Sequence, residues 1–224
     1  MRQEWRDLLF VHGRVDTGVL QRLLPDGVEV DEFDGSGWVS YVPFSMRGIR
    51  FGPLPPVPYL GSFPEVNIRT YVRHEGVPYV WFFSLDIPRV LPVGVARSVF
   101  ALPYMFASVR HDHVGSMLTT TTHRHWSSAT ARSVARVGEP VTPDALDVFL
   151  TARWGLLAAT RRSLVQAKIQ HEPWTLHEAT LVEFDDGLSE AAQLPGWTVE
   201  RCTFSPGLPV SIGAPSRVRS LVAR

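Results

Sequence analysis

The 224-residue sequence has one cysteine, Cys202, and one lysine, Lys168, so that 21 of its 22 basic residues are arginines. A single cysteine excludes an internal disulfide and a thiolate metal cluster. A single lysine means that any Schiff-base chemistry depends on Lys168 alone. That residue shares a predicted strand face with Gln166 and Gln170. A reactive lysine needs desolvation or a cationic neighbour, so we expect no imine at Lys168.

The chain also lacks net charge and long apolar runs. Its 22 basic residues balance 22 acidic ones, which argues against the basic surface of a protein that binds nucleic acid or anionic membrane. No run approaches the ~20 apolar residues of a membrane span, and residues 1–12 lack the length and flanks of a signal peptide. We therefore expect a cytoplasmic protein with neither nucleic-acid nor membrane partners.

The hydrophobic content of 45% is sufficient for one substantial core, and we expect one domain over residues 1–224. Helices are predicted over 16–24, 94–102 and 142–154, with Asp16 and Thr142 as the N-caps of the first and last. Strands are predicted over 28–33, 38–49, 64–74, 78–86, 105–114, 117–126, 155–160, 163–172, 177–185 and 198–204. This pattern indicates an α+β fold, mainly antiparallel β, as a barrel or sandwich with few short helices.

The strand over 64–74 carries an unusual row of polar side chains. Because side chains alternate between the faces of a strand, Glu65, Asn67 and Arg69 share one face. With a tight turn at Glu75-Gly76, antiparallel pairing places residue 65 opposite 86, 67 opposite 84 and 69 opposite 82. The same face would then include Ser84 and Asp86.

Two readings of this polar face stay open. In a pocket, Glu65 and Asp86 beside Arg69 would hold one protonated and one ionised carboxyl group, which suits general acid–base catalysis. On an exposed face they would form a solvated salt-bridge ladder of little consequence. Residues 80–83 are apolar on both faces, which favours a hairpin covered on both sides, and buried polar groups need partners or a ligand.

Two histidine pairs, His111/His113 and His123/His125, have the spacing that puts two imidazoles on one strand face. A turn at Gly115-Ser116 pairs residue 123 with residue 108 and not with residue 111. The offset of three residues corresponds to about 10 Å at the rise of a strand, too far for a shared ion. We therefore expect no metal site.

Several blocks resemble the YqjF-like family, a bacterial domain of unknown function. These blocks are Trp5–His12, Leu24–Gly27, Phe33–Gly35, Trp38–Phe44, Phe63–Asn67, Arg69–Arg73, Phe82–Asp86 and His171–Trp174. Where that family commonly has a tryptophan after His12, this chain has Gly13, and we expect that difference to enlarge or reshape the pocket.

That family is similar in turn to acetoacetate decarboxylase, which implies a barrel with an internal cavity. The decarboxylase carries a Gly-aromatic-Pro-Lys-Lys run, whose first lysine forms the Schiff base, after a short helix. The corresponding segment of this chain is residues 96–105. By this match Tyr104 occupies the position of the Schiff-base lysine, and Met105 replaces the second lysine. Tyrosine cannot form an imine. By the same resemblance Glu65 lines the cavity, and Arg97 or Arg69 could bind a carboxylate.

These observations leave three hypotheses. The first is a cofactor-independent enzyme, of lyase, isomerase or cyclase type, that acts without Schiff-base chemistry on a small polar or carbonyl-bearing metabolite, for example in a biosynthetic cluster. The others are a non-catalytic small-molecule-binding protein and a structural homo-oligomer subunit. The candidate catalytic residues are Glu65 and Tyr104. The candidate substrate-binding residues are His12, Asn67, Arg69, Ser84, Asp86 and Arg97.

Overall fold

The computed structural model describes residues 1–56, 61–89, 101–160, 163–194 and 196–220. The strands are β1 (Arg2–Val15), β2 (Glu29–Val30), β3 (Gly37–Arg50), β4 (Phe63–His74), β5 (Val77–Ile87), β6 (Tyr104–Val114), β7 (Met117–Arg124), β8 (Thr130–Val141), β9 (Gly155–Ala159), β10 (Ser163–Gln170), β11 (Leu176–Asp186), β12 (Val199–Ile212) and β13 (Ser216–Ser220). The helices are α1 (Thr17–Gln21), α2 (Ala145–Thr151) and α3 (Gly187–Ala191).

The strands close into a mixed barrel. The nine strands β5-β6-β7-β8-β11-β12-β1-β3-β4 follow one another around it, and pairing of β4 with β5 completes the circle. A second circuit of seven strands uses β9 and β10, because β9 pairs with β5 and β10 pairs with β12. The five strands β12, β1, β3, β4 and β5 belong to both circuits and form a shared wall.

Each face of the shared wall packs against its own core. The seven-strand core is the apolar cluster that includes Phe10, Phe44, Leu85, Ala167 and Ile169. Strands β9 and β10 both contribute side chains to it. The nine-strand core contains Val11, Tyr41, Val66, Ile68 and Leu118, and it draws on β6, β7 and β8. Because both faces of the wall are buried, its strands contain few exposed positions outside their ends.

Turn and cap chemistry explains where several elements begin. Asp16 accepts a hydrogen bond from the backbone of Val19 and caps α1, as the sequence predicts. Helix α2 is capped by Asp144 and not by Thr142, because Asp144 and Asp147 form a reciprocal capping box. The predicted turn at Glu75-Gly76 is confirmed, and both residues have positive φ, 50° and 77°.

The sequence pattern missed β1, β8, β13 and α3, and it extended β2 and α1 beyond their observed bounds. Strand β1 was not predicted because Asp7 has a φ of 54° and interrupts the alternation of side chains. The helix predicted over 94–102 falls, apart from its last two residues, outside the described part of the chain. No helix in the described residues is long and apolar enough to cross a membrane.

Candidate functional site

A row of polar side chains crosses the shared wall on the side of the seven-strand core. Glu65, Asn67 and Arg69 of β4 all lie on this face and are buried, with exposures of 3%, 3% and 7%. The row continues across neighbouring strands, because Arg69 pairs with Ser40 of β3 and Ser40 pairs with His12 of β1. The polar face is therefore interior to the protein and is not a solvated ladder.

The predicted hairpin register is right near the turn and wrong beyond it. Arg69 lies opposite Phe82, as predicted, but Ile68 pairs with Ser84 and Val66 pairs with Asp86. The shift arises at an irregularity between Ile68 and Arg69, where β5 contributes one extra residue. Because a one-residue slip moves every later side chain to the other face, Ser84 and Asp86 face the nine-strand core, away from Glu65.

Asp86 has a partner of its own in the nine-strand core. The Nε and Nη2 atoms of Arg124 donate to its two carboxylate oxygens at 2.6 and 2.9 Å, and Ser84 Oγ donates at 3.1 Å. Both members of this ion pair are buried. Asp86 thus pairs with Arg124 and not with Arg69, and we leave Ser84 and Asp86 out of the candidate site.

Glu65 and Tyr104 approach each other in the seven-strand core. Tyr104 pairs with Leu85 at the start of β6, and its hydroxyl lies 3.5 Å from Glu65 Oε2. Burial raises the pKa of Glu65 to about 8, against the smaller opposing effects of hydrogen bonds from Asn67 and Tyr104. Burial raises the pKa of Tyr104 well above its ordinary value as well. At neutral pH the pair is a mostly protonated carboxyl group beside a phenol.

Arg69 is a buried cation without a carboxylate partner in the described residues. Its Nη2 donates to the carbonyl oxygen of Leu150 at 3.3 Å, and its Nε is buried and makes no hydrogen bond. The guanidinium lies over the rings of Phe10 and Tyr71, at 5.6 and 5.8 Å from their centroids. A buried charge with unused donors favours an anionic ligand. The nearby Oδ1 of Asn67 is also buried without a partner.

His12 belongs to a closed set of hydrogen bonds that the sequence did not reveal. Its Nδ1 lies 2.6 Å from Ser40 Oγ, which in turn lies 2.6 Å from the hydroxyl of Tyr71. Burial, and after it the charge of Arg69, hold the pKa of His12 well below its usual value. A serine within the otherwise apolar run of β3 was the available signal for Ser40, and Tyr71 shares the polar face of β4.

The two histidine pairs have the separation that the sequence predicts. Ser108 pairs with His123, which confirms the register on which that prediction rests. His111 Nε2 contacts the carbonyl oxygen of Asp7 at 2.8 Å, and His113 Nδ1 lies 2.8 Å from the carboxylate of the same residue. The described residues contain no group of three histidine, cysteine, aspartate or glutamate side chains arranged to hold a metal ion.

Two other candidates lie away from the polar row. Lys168 is exposed on the outer face of β10, where it lines a surface groove of about 840 Å³ with Trp154, Gln166 and His171. A Cβ at Gly13 would lie 2.3 Å from the ring of Trp197, which packs against the nine-strand core. The expectation that Gly13 reshapes the pocket is wrong, because that position faces away from His12. Arg97 falls outside the described residues.

The fold is that of acetoacetate decarboxylase-like proteins. The acetoacetate decarboxylase of Legionella pneumophila superposes with a TM-score of 0.73 at 13% identity, over 98% of this chain and 88% of that one. An acetoacetate decarboxylase-like enzyme from Sphingomonas wittichii superposes with a TM-score of 0.69 at 17% identity, over 98% of this chain and 93% of that one. The enduracididine biosynthesis enzyme MppR, complexed with pyruvate, superposes with a TM-score of 0.66 at 18% identity, over 99% of this chain and 90% of that one.

The chain belongs to the DUF2071 family of uncharacterized conserved proteins, whose model matches residues 2–209. It is 38% identical to the uncharacterized protein YqjF of Bacillus subtilis over 183 residues, which cover 80% of this chain and 76% of that protein. The resemblance drawn from the sequence blocks is confirmed.

Proposed function

We propose that this protein is an enzyme of the acetoacetate decarboxylase-like class that moves a proton on a small carbonyl-bearing metabolite without forming a Schiff base. The observation that carries the proposal is the contact of the buried Glu65 with the half-buried Tyr104, in which the pKa of the carboxyl group is raised to about 8. A general base or acid acts best when its pKa lies near the working pH.

The roles follow from the protonation states. The Tyr104 hydroxyl stays protonated because its pKa is raised, so it can donate a hydrogen bond to a substrate carbonyl oxygen. The ionised fraction of Glu65 can then take a proton from the carbon next to that carbonyl and return it at the same or another atom. Asn67, whose amide Oδ1 is unpartnered, can orient the polar part of the substrate.

Lysine chemistry is not part of this proposal. The one lysine, Lys168, lies on the outer face of β10, whereas its neighbours Ala167 and Ile169 belong to the seven-strand core. Its amine therefore points away from the core that contains Glu65. MppR has been found complexed with pyruvate, and a small oxo acid is accordingly the first probe to use.

The alternative that keeps the same site is a small-molecule-binding protein without turnover. The 3.5 Å separation of Tyr104 from Glu65 is long for a hydroxyl–carboxylate hydrogen bond, and a ligand could equally be held between the two. The third hypothesis, an oligomer subunit that uses the polar hairpin face as its interface, loses its basis because that face is buried within the chain.

Deuterium exchange tests the proposal. Pyruvate, 2-oxobutanoate and acetoacetate are incubated in D₂O with the protein, and NMR follows loss of the protons next to the carbonyl group. We expect exchange above the buffer rate with at least one acid, rising with pH toward about 8 as Glu65 ionises. Glu65→Gln should lower the rate about 10²- to 10⁴-fold, the usual contribution of a general base.

Lys168→Ala is the matched control, and it should exchange at the wild-type rate. Borohydride added during the incubation should leave the protein mass unchanged. Equal rates in wild type and Glu65→Gln, or a borohydride-trapped adduct on Lys168, would contradict the proposal. Ligand binding without exchange for all three acids would favour the binding protein.

A further inference from the structure

The face of the shared wall that carries Glu65 and Arg69 also carries a hydroxyl chain that the proposed proton transfer does not use. Nδ1 of His12, Oγ of Ser40 and Oη of Tyr71 lie within 2.6, 2.6 and 3.4 Å of one another. The three residues are 1%, 0% and 0% exposed. These atoms make no hydrogen bond to any other described residue, so the three must satisfy one another.

Counting hydrogens fixes the tautomer of His12. Ser40 and Tyr71 bring two hydroxyl hydrogens, and if Nδ1 is unprotonated both of them have acceptors within the set. If Nδ1 carried a proton, three hydrogens would share two oxygens, and one hydroxyl hydrogen would be buried without an acceptor. An unsatisfied buried donor costs free energy, so Nδ1 accepts and the neutral ring carries its proton on Nε2.

The charge state of the ring agrees with this count. Burial and the guanidinium of Arg69 hold the pKa of His12 well below its ordinary value, so the imidazole is neutral at pH 7. His12 is thus a hydrogen-bond donor through Nε2. That N–H group meets no acceptor in the described part of the chain.

Arg69 supplies the second set of unused donors. It lies in the same cross-strand row as His12, with Ser40 between them, and its side chain covers the Phe10 ring against which the His12 ring is stacked. Its buried Nε has no partner, and no carboxylate in the described residues neutralises it. Two unpartnered donors on one buried face, one of which carries an uncompensated positive charge, favour an anionic ligand there.

We propose that Arg69 and the Nε2–H group of His12 form a two-donor site for a substrate carboxylate, with the Tyr71–Ser40 hydroxyl chain holding the imidazole in the donating tautomer. This inference rests on the proposed function, because it assigns the substrate of the Glu65 site to the small carboxylic acids. Neutral aldehydes and ketones are poor ligands of such a site. Arg69 provides the positive charge, and the Nε2–H group of His12 provides a hydrogen bond that fixes the orientation of the carboxylate.

The first test needs no variant. ¹⁵N-edited NMR of the wild-type protein should give His12 an unprotonated Nδ1 and a protonated Nε2, unchanged between pH 6 and 8. Titration with pyruvate should shift the Nε2–H resonance, whereas pyruvamide, its neutral counterpart, should bind at least about tenfold more weakly because it forms no charge-assisted hydrogen bond. A protonated Nδ1, or equal binding of pyruvate and pyruvamide, would overturn the inference.

The second test uses a matched pair of variants. The amide nitrogen of glutamine reaches about as far as Nε2 of histidine, whereas that of asparagine reaches only as far as Nδ1. His12→Asn should weaken pyruvate binding about 10- to 100-fold, as expected for loss of a hydrogen bond to a charged group, and His12→Gln should retain most of it. Equal affinities of the two folded variants would refute the donor role.

The outcomes separate this inference from the proposed function. Pyruvate binding that depends on His12 and Arg69, without proton exchange, would support the carboxylate site and contradict the enzyme. Proton exchange that is insensitive to His12 and to the charge of the probe would support the enzyme and contradict the carboxylate site. Failure of the wild-type protein to bind pyruvate, 2-oxobutanoate or acetoacetate would overturn the carboxylate site as stated.

Discussion

Glu65 is the residue at which function and stability oppose each other most directly. Its carboxyl group is buried, and the ionised form is penalised so strongly that the pKa rises to about 8 from an ordinary value of 4.5. The folded protein therefore binds a proton that the unfolded chain releases between these two pH values. Stability from this group is complete below about pH 4.5 and is lost as pH rises toward 8.

We predict that Glu65→Gln stabilises the protein at neutral pH while removing proton exchange. One pKa unit corresponds to about 1.4 kcal/mol, so the gain at pH 7 should reach roughly 3 kcal/mol at most. Urea denaturation at pH 5, 6, 7 and 8 measures it. The difference between variant and wild type should increase with pH. A difference that is constant with pH would contradict the raised pKa.

At the scale of single residues, part of the candidate site could be predicted from the sequence. Alternation along a strand was sufficient to put Glu65, Asn67 and Arg69 on one face, and the structure buries all three together. Tyr104 came from the family resemblance alone, since nothing in a strand pattern relates it to residue 65. Ser40 and Tyr71 were missed as partners of His12, because a hydrogen bond between strands depends on a register that one sequence does not contain.

At the scale of elements, the hairpin β4–β5 illustrates why register is hard to predict. The turn at Glu75-Gly76 determines the pairing of the first residues, and there the prediction is right. The extra residue of β5 is Phe83, which belongs to the run 80–83 that is apolar on both faces. Since neither face of that run is polar, no pattern marks the slip, and Ser84 and Asp86 were assigned to the wrong core.

A second testable feature is the close approach of strands β1 and β12. Gly207 of β12 has a φ of 105°, and a Cβ there would lie 1.9 Å from the carbonyl oxygen of Trp5. That oxygen is backbone and cannot move aside without breaking the β1–β12 pairing. Gly76 also has a positive φ, but a Cβ there would meet nothing within 4 Å.

We predict that Gly207→Ala is much more destabilising than Gly76→Ala. The turn variant should cost about 1 kcal/mol, the usual cost of left-handed backbone in a residue with a side chain. Gly207→Ala adds a backbone clash to the same conformational cost. It should lower the free energy of unfolding by at least twice as much as Gly76→Ala, or prevent folding. Thermal unfolding of both variants measures the difference, and similar melting temperatures would contradict the close approach.

At the scale of the whole molecule, the shared wall separates two polar systems that belong to different cores. The polar row of His12, Arg69 and Glu65 lies on one face, and the Asp86–Arg124 ion pair lies on the other. The two are close enough for the charge of Asp86 to contribute to the raised pKa of Glu65. Because the positive charge of Arg124 lies against Asp86, it opposes the effect of that carboxylate on Glu65.

We predict that Arg124→Met destabilises the protein by about 3–5 kcal/mol, because it leaves Asp86 buried and uncompensated. Asp86→Asn in the same chain should recover a large part of that loss, since the uncompensated charge is gone. Arg132→Met is the matched control. It breaks an exposed ion pair with Glu183, whose side chains are 45% and 50% exposed, and should cost less than about 1 kcal/mol.

Urea denaturation at pH 7 gives the stabilities, and the pH dependence of deuterium exchange gives a second readout. If the charge of Asp86 reaches Glu65 through the wall, Arg124→Met should move the midpoint of exchange to higher pH, and the double variant with Asp86→Asn should return it to wild type or below. Arg132→Met should leave the midpoint in place. Large destabilisation with an unchanged midpoint would mean that Asp86 becomes protonated when Arg124 is lost, and that the two cores are electrostatically independent.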